Sequence, residues 1–389
     1  MKKSFAVSLH MVLISVFLCL APLTTANAAA GDWSNGQSMN YTRWGQTTVV
    51  LPDGKVLVVS GCANPSCTSY RTNYEIYDPQ LGTWSAHELT VGGGLPYGFG
   101  GLDAVVLANQ QILIAGVDSA GTSLLYHPQT ATWSKAGSLN TPRYHSGYVP
   151  VQAFFAITRS GDNGALITGG KSVDTVLKSV ESFNSATNTW TAVSDMLQAR
   201  WRHIAVSLPN GKILVAGGWD QAGNALLTAE LYDPSLDQWT QTGSLVHTYA
   251  HDTMAVVLNN GQVLLAGYDG AELYDPETGD WTDAGFWTGT KPGAVLLPNG
   301  NVLFIGGAAI NGAKYTGGLI YDPTAKTTSS VSDMSQGRYW PSAVLLPTDG
   351  SVLVAGGFGS SGQGLSSMEI YDTGIPIDRA TFLPLVIHS

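Results

Sequence analysis

The sequence has few charged residues, and most of them are acidic. Asp, Glu, Lys and Arg make up 12% of the chain, with 18 Lys and Arg against 28 Asp and Glu, for a formal net charge of −10. Because a surplus of negative charge repels a phosphate backbone, no nucleic acid is expected as a partner. Beyond the N-terminal segment no hydrophobic run approaches the roughly 20 residues of a membrane helix, so we expect no membrane span.

The N-terminal segment has the three parts of a signal peptide. Lys2 and Lys3 precede an apolar run from Phe5 to Leu20, and Ala26-Asn27-Ala28 places small residues where a signal peptidase cleaves. An N-terminal membrane anchor is the alternative, but the apolar run is short for one. We therefore expect residues 1–28 to be removed and the protein to be secreted, either outside the cell or into the periplasm or cell envelope.

Cysteine is scarce, with three in the chain, and only Cys62 and Cys67 lie beyond the predicted signal peptide. Two cysteines this close in an exported protein predict a local disulfide. A metal-binding pair is the weaker alternative, because no histidine lies near them in sequence. Closing so small a loop stabilises the fold by about 2 kcal/mol in the chain-entropy model, so the disulfide would hold one loop.

Glycine is abundant, with 46 residues, and it recurs with aromatic residues in a fixed order. One repeat contains a basic cluster, an apolar run, an Asn-Gly turn, a second apolar run, a glycine pair, a tyrosine and a tryptophan: Arg200 to His203, Ile204 to Leu208, Asn210-Gly211, Ile213 to Ala216, Gly217-Gly218, Tyr232 and Trp239. An Asn-Gly or Asp-Gly step between short apolar runs is a strong hairpin signal, because the turn needs positive φ. The repeat therefore predicts four short antiparallel strands.

The third predicted strand contains an aromatic residue that occurs seven times along the chain: Tyr77, Tyr126, Phe183, Tyr232, Tyr274, Tyr321 and Tyr371. In the first five repeats a tryptophan follows seven residues later, whereas the sixth repeat has Thr328 and the seventh has Asp378. Trp33 lies in an isolated strand near the N-terminus. Because a closed ring leaves no unpaired edge, we expect the strand around Trp33 to complete the seventh repeat.

This pattern of Gly-Gly, Tyr and Trp resembles the kelch repeat, whose period is roughly 50 residues. Kelch repeats are found in galactose oxidase, in bacterial sialic acid mutarotases and in many binding propellers, and this chain resembles the bacterial secreted type. The resemblance implies an all-β, seven-bladed β-propeller over residues 29–375. Residues 376–389 would form a short apolar tail, which either packs on the rim or docks to an envelope partner.

Candidate ligand-binding residues lie in the loops that lead from strand 4 into strand 1 of the next repeat. In a propeller these 4–1 loops share one face with the 2–3 loops, and their varied lengths are typical of a binding surface. The candidates are Arg43, Trp44, Arg143, Tyr144, His145, Arg200, Trp201, Arg202, His203, His251, Asp252, Arg338, Tyr339 and Trp340. Arginine and flat aromatic rings suit carboxylates, sugars or peptides. Alternatively, the repeated arginines satisfy carbonyl groups and pack between blades.

The predicted function is a binding module for a glycan, a peptide or another exported protein, and we expect a monomer without cofactor or metal. A carbohydrate-active enzyme is the alternative interpretation. Copper chemistry like that of galactose oxidase would need a cysteine fused to a tyrosine, together with Tyr and His ligands. Mutarotase-like chemistry would need an acid and a base near an arginine, for which Asp252, Asp103 and Glu88 are the candidates. We assign no catalytic residue.

Overall fold

The structure is a computed structural model that describes residues 31–91, 102, 104–143, 155–161, 164–249, 253–286 and 288–377. Throughout these residues the regular structure consists of β-strands, and no helix occurs in them. Seven antiparallel sheets of four strands follow one another around a ring, and each sheet is one blade. The predicted all-β, seven-bladed propeller is confirmed.

The first four blades are each built from four strands that run in order from the innermost to the outermost. Blade 1 comprises Thr47–Val50, Val56–Val59, Asn73–Asp78 and Thr83–Glu88. Blade 2 comprises Ala104–Val106, Ile112–Ile114, Ser123–His127 and Thr132–Ala136. Blade 3 comprises Ala156–Ser160, Gly164–Thr168, Val180–Asn184 and Thr189–Val193. Blade 4 comprises Ile204–Ser207, Ile213–Ala216, Ala229–Asp233 and Gln238–Gln241.

The last three blades repeat this order, and two small sheets lie outside the blades. Blade 5 comprises Met254–Val257, Val263–Gly267, Gly270–Tyr274 and Trp281–Asp283. Blade 6 comprises Gly293–Leu296, Val302–Ile305, Gly318–Asp322 and Thr327–Val331. Blade 7 comprises Ser342–Leu345, Val352–Ala355, Met368–Tyr371 and the N-terminal strand Trp33–Asn35. The small sheets pair Lys171–Ser172 with Thr175–Val176, and Arg338–Tyr339 with Phe358–Gly359.

The hydrophobic core is divided into clusters that lie between neighbouring blades. Leu57 of blade 1 shares a cluster with Ile114 of blade 2, and Leu214 of blade 4 shares one with Leu265 of blade 5. The cluster that joins blade 7 to blade 1 contains Leu353 and Val58, so the ring is closed. The second strands therefore bury side chains on both faces, which explains their nearly continuous apolar runs, whereas the outermost strands are largely exposed.

The fixed spacing between Tyr and Trp corresponds to a direct cross-strand pair. In blades 1 to 5 the aromatic residue of strand 3 lies opposite the tryptophan of strand 4, with ring centroids 4.9–5.1 Å apart. Such pairs contribute to sheet stability beyond the area they bury. In blade 6 Tyr321 lies opposite Thr328, and its ring instead stacks on Phe286 from the preceding loop at 4.7 Å.

The N-terminal strand closes the ring as predicted. Trp33 lies opposite Tyr371 with ring centroids 5.0 Å apart, and its indole N–H donates to the carbonyl of Ser332 in blade 6 at 2.8 Å. This strand covers the edge of the last blade and so removes an unpaired backbone edge. Across the described residues there is no helix of the length and hydrophobicity needed to cross a membrane.

Replacement of Trp33 should weaken the closure of the ring. We expect Trp33→Ala to lower the free energy of unfolding by about 3 kcal/mol, because a large packed ring and its hydrogen bond are lost. Asn35→Ala, on the same strand but exposed, should change it by less than about 0.5 kcal/mol. Urea unfolding measures both values. Equal stability of the two variants would show that the Trp33 pair does not hold the ring closed.

Candidate functional site

The 2–3 and 4–1 loops of a blade pair with each other, which places them on one side of the ring. In four blades the residue after the arginine position pairs antiparallel with the residue after the glycine pair: Trp44 with Cys62, Trp201 with Trp219, Thr290 with Ala308, and Tyr339 with Phe358. We call the surface formed by these two sets of loops the loop face. Its residues are therefore held by backbone hydrogen bonds above the ends of the strands.

The repeated arginines lie beneath this face and are ion-paired with glutamates of strand 3. All four arginine side chains are fully buried. The pairs, with their N–O distances, are Arg43–Glu75 at 2.8 Å, Arg143–Glu181 at 3.3 Å, Arg200–Glu230 at 2.7 Å and Arg338–Glu369 at 2.8 Å. Burial of a charge is costly unless it is paired and hydrogen-bonded, and these groups satisfy both conditions.

Each guanidinium also joins two backbone segments of its own blade. In blade 4, Arg200 Nη1 donates to the carbonyls of Gly217 and Thr228 at 2.8 and 3.0 Å. The partner carboxylate of Glu230 accepts the backbone N–H groups of Leu197 and Gln198 in the 4–1 loop at 2.6 and 3.1 Å. One ion pair thus holds the glycine pair, strand 3 and the 4–1 loop together.

Burial lowers the pKa of these guanidiniums, and the paired glutamate opposes the shift. Even for Arg143, whose pKa falls to about 10, the group is protonated at neutral pH. Direct contact between a ligand and these four arginines would require the ion pairs to open. The geometry therefore favours the second interpretation of the repeated arginines, in which they have a structural role, over the first, in which they contact a ligand.

Two residues after the arginine position, the backbone adopts the left-handed conformation. Blade 1 has Gly45 there, with φ 58°, but the other blades described at this position have bulky residues: Arg202 with φ 55°, Lys291 with φ 50° and Trp340 with φ 54°. A non-glycine residue in this region costs about 1–2 kcal/mol. Non-glycine residues have the same conformation in the 3–4 turns on the opposite side of the ring, at Ala131, Asn188, Asp237 and Lys326, so it is a recurring feature of the repeat.

The side chains of blades 6, 7 and 1 form a continuous surface that we call the 6–7–1 patch. It consists of two lysines and four aromatic residues, of which Lys291 is buried and the others are partly exposed: Lys291, Lys314, Tyr339, Trp340, Phe358 and Trp44. Lys291 Nζ lies 4.2 Å from the centroid of Trp340, and Lys314 Nζ lies 5.1 Å from that of Tyr339. Trp44 meets Phe358 edge-on at 5.3 Å. The patch therefore combines cations with aromatic edges and faces.

A second group of the same composition lies between blades 3 and 4. Lys171 Nζ is 3.7 Å from the centroid of Trp201, Arg202 lies 5.1 Å from the same ring, and Trp219 lies beside it at 6.3 Å. Sequence reasoning identified Trp201 and Arg202 but missed Lys171 and Trp219. Both residues directly follow a glycine pair, and that position in the sequence could have identified them.

The disulfide closes the loop that contacts Trp44 of the 6–7–1 patch. Cys62 and Cys67 are bonded, as predicted. The loop that they close includes Asn64, whose carbonyl accepts the indole N–H of Trp44 at 3.0 Å. The disulfide therefore limits the positions that the Trp44 ring can take on the loop face.

His203 joins blade 4 to blade 3. It is buried, and its Nε2 lies 2.7 Å from the hydroxyl of Thr168 at the end of strand 2 of blade 3. Gln46 has the same place in blade 1, where its amide donates to the carbonyl of Ala355 in blade 7 at 3.0 Å. Burial, with Arg200 and Arg143 nearby, lowers the pKa of His203 well below its usual value, so the ring is neutral. Its position is structural.

Four candidate residues, Tyr144, His145, His251 and Asp252, lie outside the described residues, as do residues 1–28 and most of the predicted tail. The same holds for Asp103, whereas Glu88 is exposed at the end of the outermost strand of blade 1. Within the described part of the chain, no three His, Cys, Asp or Glu side chains gather where they could hold a metal ion.

Loss of one buried arginine should destabilise the whole propeller. Arg200→Met is expected to lower the free energy of unfolding by about 3–5 kcal/mol, because Glu230 would remain buried without its partner. Arg159→Met, the same substitution at an exposed arginine of blade 3, should change it by less than about 0.5 kcal/mol. Chemical denaturation followed by tryptophan fluorescence would detect the difference. Similar values for both variants would contradict the structural role of the ion pair.

The neutral state of His203 predicts a loss of stability in acid. Because its pKa in the folded state lies below that of the unfolded chain, the unfolded state binds the proton first as the pH falls below 6.5. One such proton destabilises the fold by about 2 kcal/mol between neutral pH and pH 5. His203→Gln, which introduces the residue of blade 1, should remove that part of the dependence. Unfolding curves at both pH values measure it, and parallel losses in both proteins would refute it.

Comparison with known proteins supports the repeat. A model of the kelch motif matches residues 162–197 and 200–245. The chain is 32% identical to beta-scruin of Limulus polyphemus over 164 residues, which are 40% of this chain and 17% of that protein. It is 26% identical to human kelch-like protein 23 over 259 residues, 64% of this chain and 43% of that protein. The chain thus spans less than half the length of these curated relatives.

The solved structure of a fungal alcohol oxidase of the AA5 family, in complex with copper, is similar in fold. Its TM-score is 0.67 at 16% identity, over 90% of this chain and 79% of that one. At this identity the similarity extends to the fold alone. The disulfide leaves neither Cys62 nor Cys67 free to join a tyrosine. The motif, the relatives and the seven four-stranded blades together support a kelch-repeat protein.

Proposed function

We propose that this propeller is a protein-interaction module that binds a segment of a partner protein on its loop face. The observation that carries the proposal is the 6–7–1 patch, in which lysines lie over aromatic rings at the ends of three consecutive blades. Tryptophan and tyrosine, with arginine, are the residues that dominate the binding energy of protein interfaces, and the patch contains Trp44, Trp340 and Tyr339. A rigid ring beneath them lowers the entropy lost on binding.

The patch suits a segment that contains carboxylates and apolar side chains. Trp44, Trp340 and Phe358 are partly exposed and provide flat apolar area. The partly exposed Lys314 adds positive charge to the surface of a protein whose net charge is negative, and Lys291 is buried against the ring of Trp340. An acidic segment would be attracted to this part of the surface, and its apolar residues would cover the rings.

We also propose that the protein acts after export. The signal-peptide pattern of residues 1–28 and the pairing of Cys62 with Cys67 support this location, because disulfides persist in oxidising compartments. The partner would then be another exported protein or an envelope protein. A glycan is the other ligand that aromatic platforms accept, so glycans form a separate arm of the binding test.

Binding arrays would test the proposal. Wild-type protein should bind acidic peptides, and Trp340→Gly should weaken that binding at least about tenfold, because a central aromatic residue is lost. The glycine should preserve the fold, since blade 1 already has Gly45 at the equivalent position. Lys212→Ala and Leu236→Ala, on the opposite side of the ring, serve as controls.

The pattern of losses distinguishes the outcomes. Binding that falls with Trp340→Gly but not with the two controls supports the loop face as the interface. Binding to glycans alone, or binding to peptides that Trp340→Gly leaves unchanged, would overturn the proposal. Melting curves of each variant confirm that the fold is retained.

A further inference from the structure

Blade 6 lacks the buried ion pair of blades 1, 3, 4 and 7. At the arginine position it has Gly289, and at the glutamate position it has Leu319. It also has Gly317 where blade 4 has Thr228, whose hydroxyl accepts a hydrogen bond from the arginine. Three side chains that form the ion-pair network of blade 4 are therefore absent or replaced in blade 6.

A cleft of about 410 Å³ lies at these positions. Its apolar lining includes Pro292, Phe304 and Leu319, and its polar lining includes Thr288, Lys314 and Asp333. The backbones of Gly289, Gly306 and Gly317 complete it. This volume lies within the range of small-molecule and side-chain sites, which combine an apolar lining with a few polar groups.

The backbone acceptors that bind arginine in the other blades are retained in blade 6. The carbonyls of Gly306 and Gly317 correspond to those of Gly217 and Thr228 in blade 4, which accept Arg200 at 2.8 and 3.0 Å. The same hydrogen bond joins the two positions in both blades, from Gly306 N–H to Gly317 and from Gly217 N–H to Thr228. Blade 6 has no arginine of its own in sequence.

The ring of Tyr315 prevents residue 289 from supplying that arginine. A Cβ atom on Gly289 would lie 2.6 Å from Cε2 of Tyr315, closer than real Cβ atoms come. In blade 4 the equivalent residue is the smaller Leu226, which makes the same backbone hydrogen bond to the glycine pair. Residue 289 therefore leaves these carbonyls without an arginine from blade 6 itself.

A carboxylate also lines the cleft. Oδ1 of Asp333 lies 2.7 Å from the position of a Cβ on Gly317, so the carboxylate lies beside that residue. The nearby ammonium of Lys314 is already hydrogen-bonded to the carbonyl of Gly312 at 2.9 Å and lies over the ring of Tyr339. The cleft therefore offers two carbonyls and a carboxylate to a bound group.

We propose that the blade 6 cleft binds an arginine side chain of the partner protein. The guanidinium would take the place that Arg200 has in blade 4, with Asp333 as its counter-ion and Tyr315 and Leu319 against its methylene groups. This rests on the proposed function, because the cleft adjoins the 6–7–1 patch through Lys314 and would anchor the same partner. A planar guanidinium fits several acceptors at once better than an ammonium does.

The probes are two blocked tripeptides, glycyl-arginyl-glycine amide and its citrulline counterpart, titrated into the protein and followed by NMR chemical shifts. Citrulline keeps the shape of arginine without its charge. We expect saturable binding of the arginine peptide and binding about tenfold weaker, or weaker still, for citrulline. Asp333→Asn should weaken the arginine peptide by a similar factor.

Blade 3 provides a matched control, because residues 193–196 and 331–334 have the same sequence. Asp195→Asn changes the equivalent aspartate in a blade whose ion pair is present, and it should leave binding unchanged. The triple variant Gly289→Arg, Tyr315→Leu and Leu319→Glu rebuilds the ion pair in blade 6. If folded, it should lose binding of the arginine peptide.

Equal affinity for the two peptides, or equal affinity of wild type and Asp333→Asn, would overturn the proposal. Should the triple variant fail to fold, Asp333→Asn and its control decide the question alone. The proposed function fails separately, through the peptide and glycan arrays. An arginine preference that disappears with Asp333→Asn would support this site even if the Trp340 variant bound its partner normally.

Discussion

The buried ion pair between arginine and glutamate is the interaction on which the loop face depends. In each blade that has it, one guanidinium bonds the glycine pair and strand 3, while its carboxylate partner bonds the 4–1 loop. The loops are thus fixed by groups beneath them. The side chains above, such as Trp201 and Trp340, are partly exposed on the loop face.

The same constraint explains how blade 6 can depart from it. Blade 6 gains Phe286 against Tyr321 and keeps its backbone pairing of Thr290 with Ala308, so its loops hold without the ion pair. Removal of both charged partners avoids leaving a buried charge unpaired. The space released becomes a cleft that has the backbone acceptors of the other blades. Where four blades have a buried ion pair, blade 6 thus has a cleft that is a candidate binding site.

Much of the fold could be predicted because its signals are local and repeated. The hairpin turns, the glycine pairs and the interval from Tyr77 to Trp84 are read within one repeat, and Trp33 stood out as a strand with no partner before it. The site was harder to predict. In the sequence, Arg43 and Trp340 both belong to the basic and aromatic clusters of the 4–1 loops, and nothing there separates their roles. In the structure Arg43 is buried and ion-paired, whereas Trp340 is partly exposed.

The sequence by itself determined the number of blades, the strand that closes the ring and the disulfide, because each depends on spacing along the chain. The tertiary structure decided which residues of the 4–1 loops face the solvent, because each buried arginine pairs with a glutamate of strand 3 that lies about 30 or more residues further along the chain. These glutamates are Glu75, Glu181, Glu230 and Glu369. The tertiary structure also brought Lys171 to Trp201 and Lys314 to Tyr339 across the boundaries of blades. The cleft of blade 6 arises in the same way, from residues that meet only when the blade is folded.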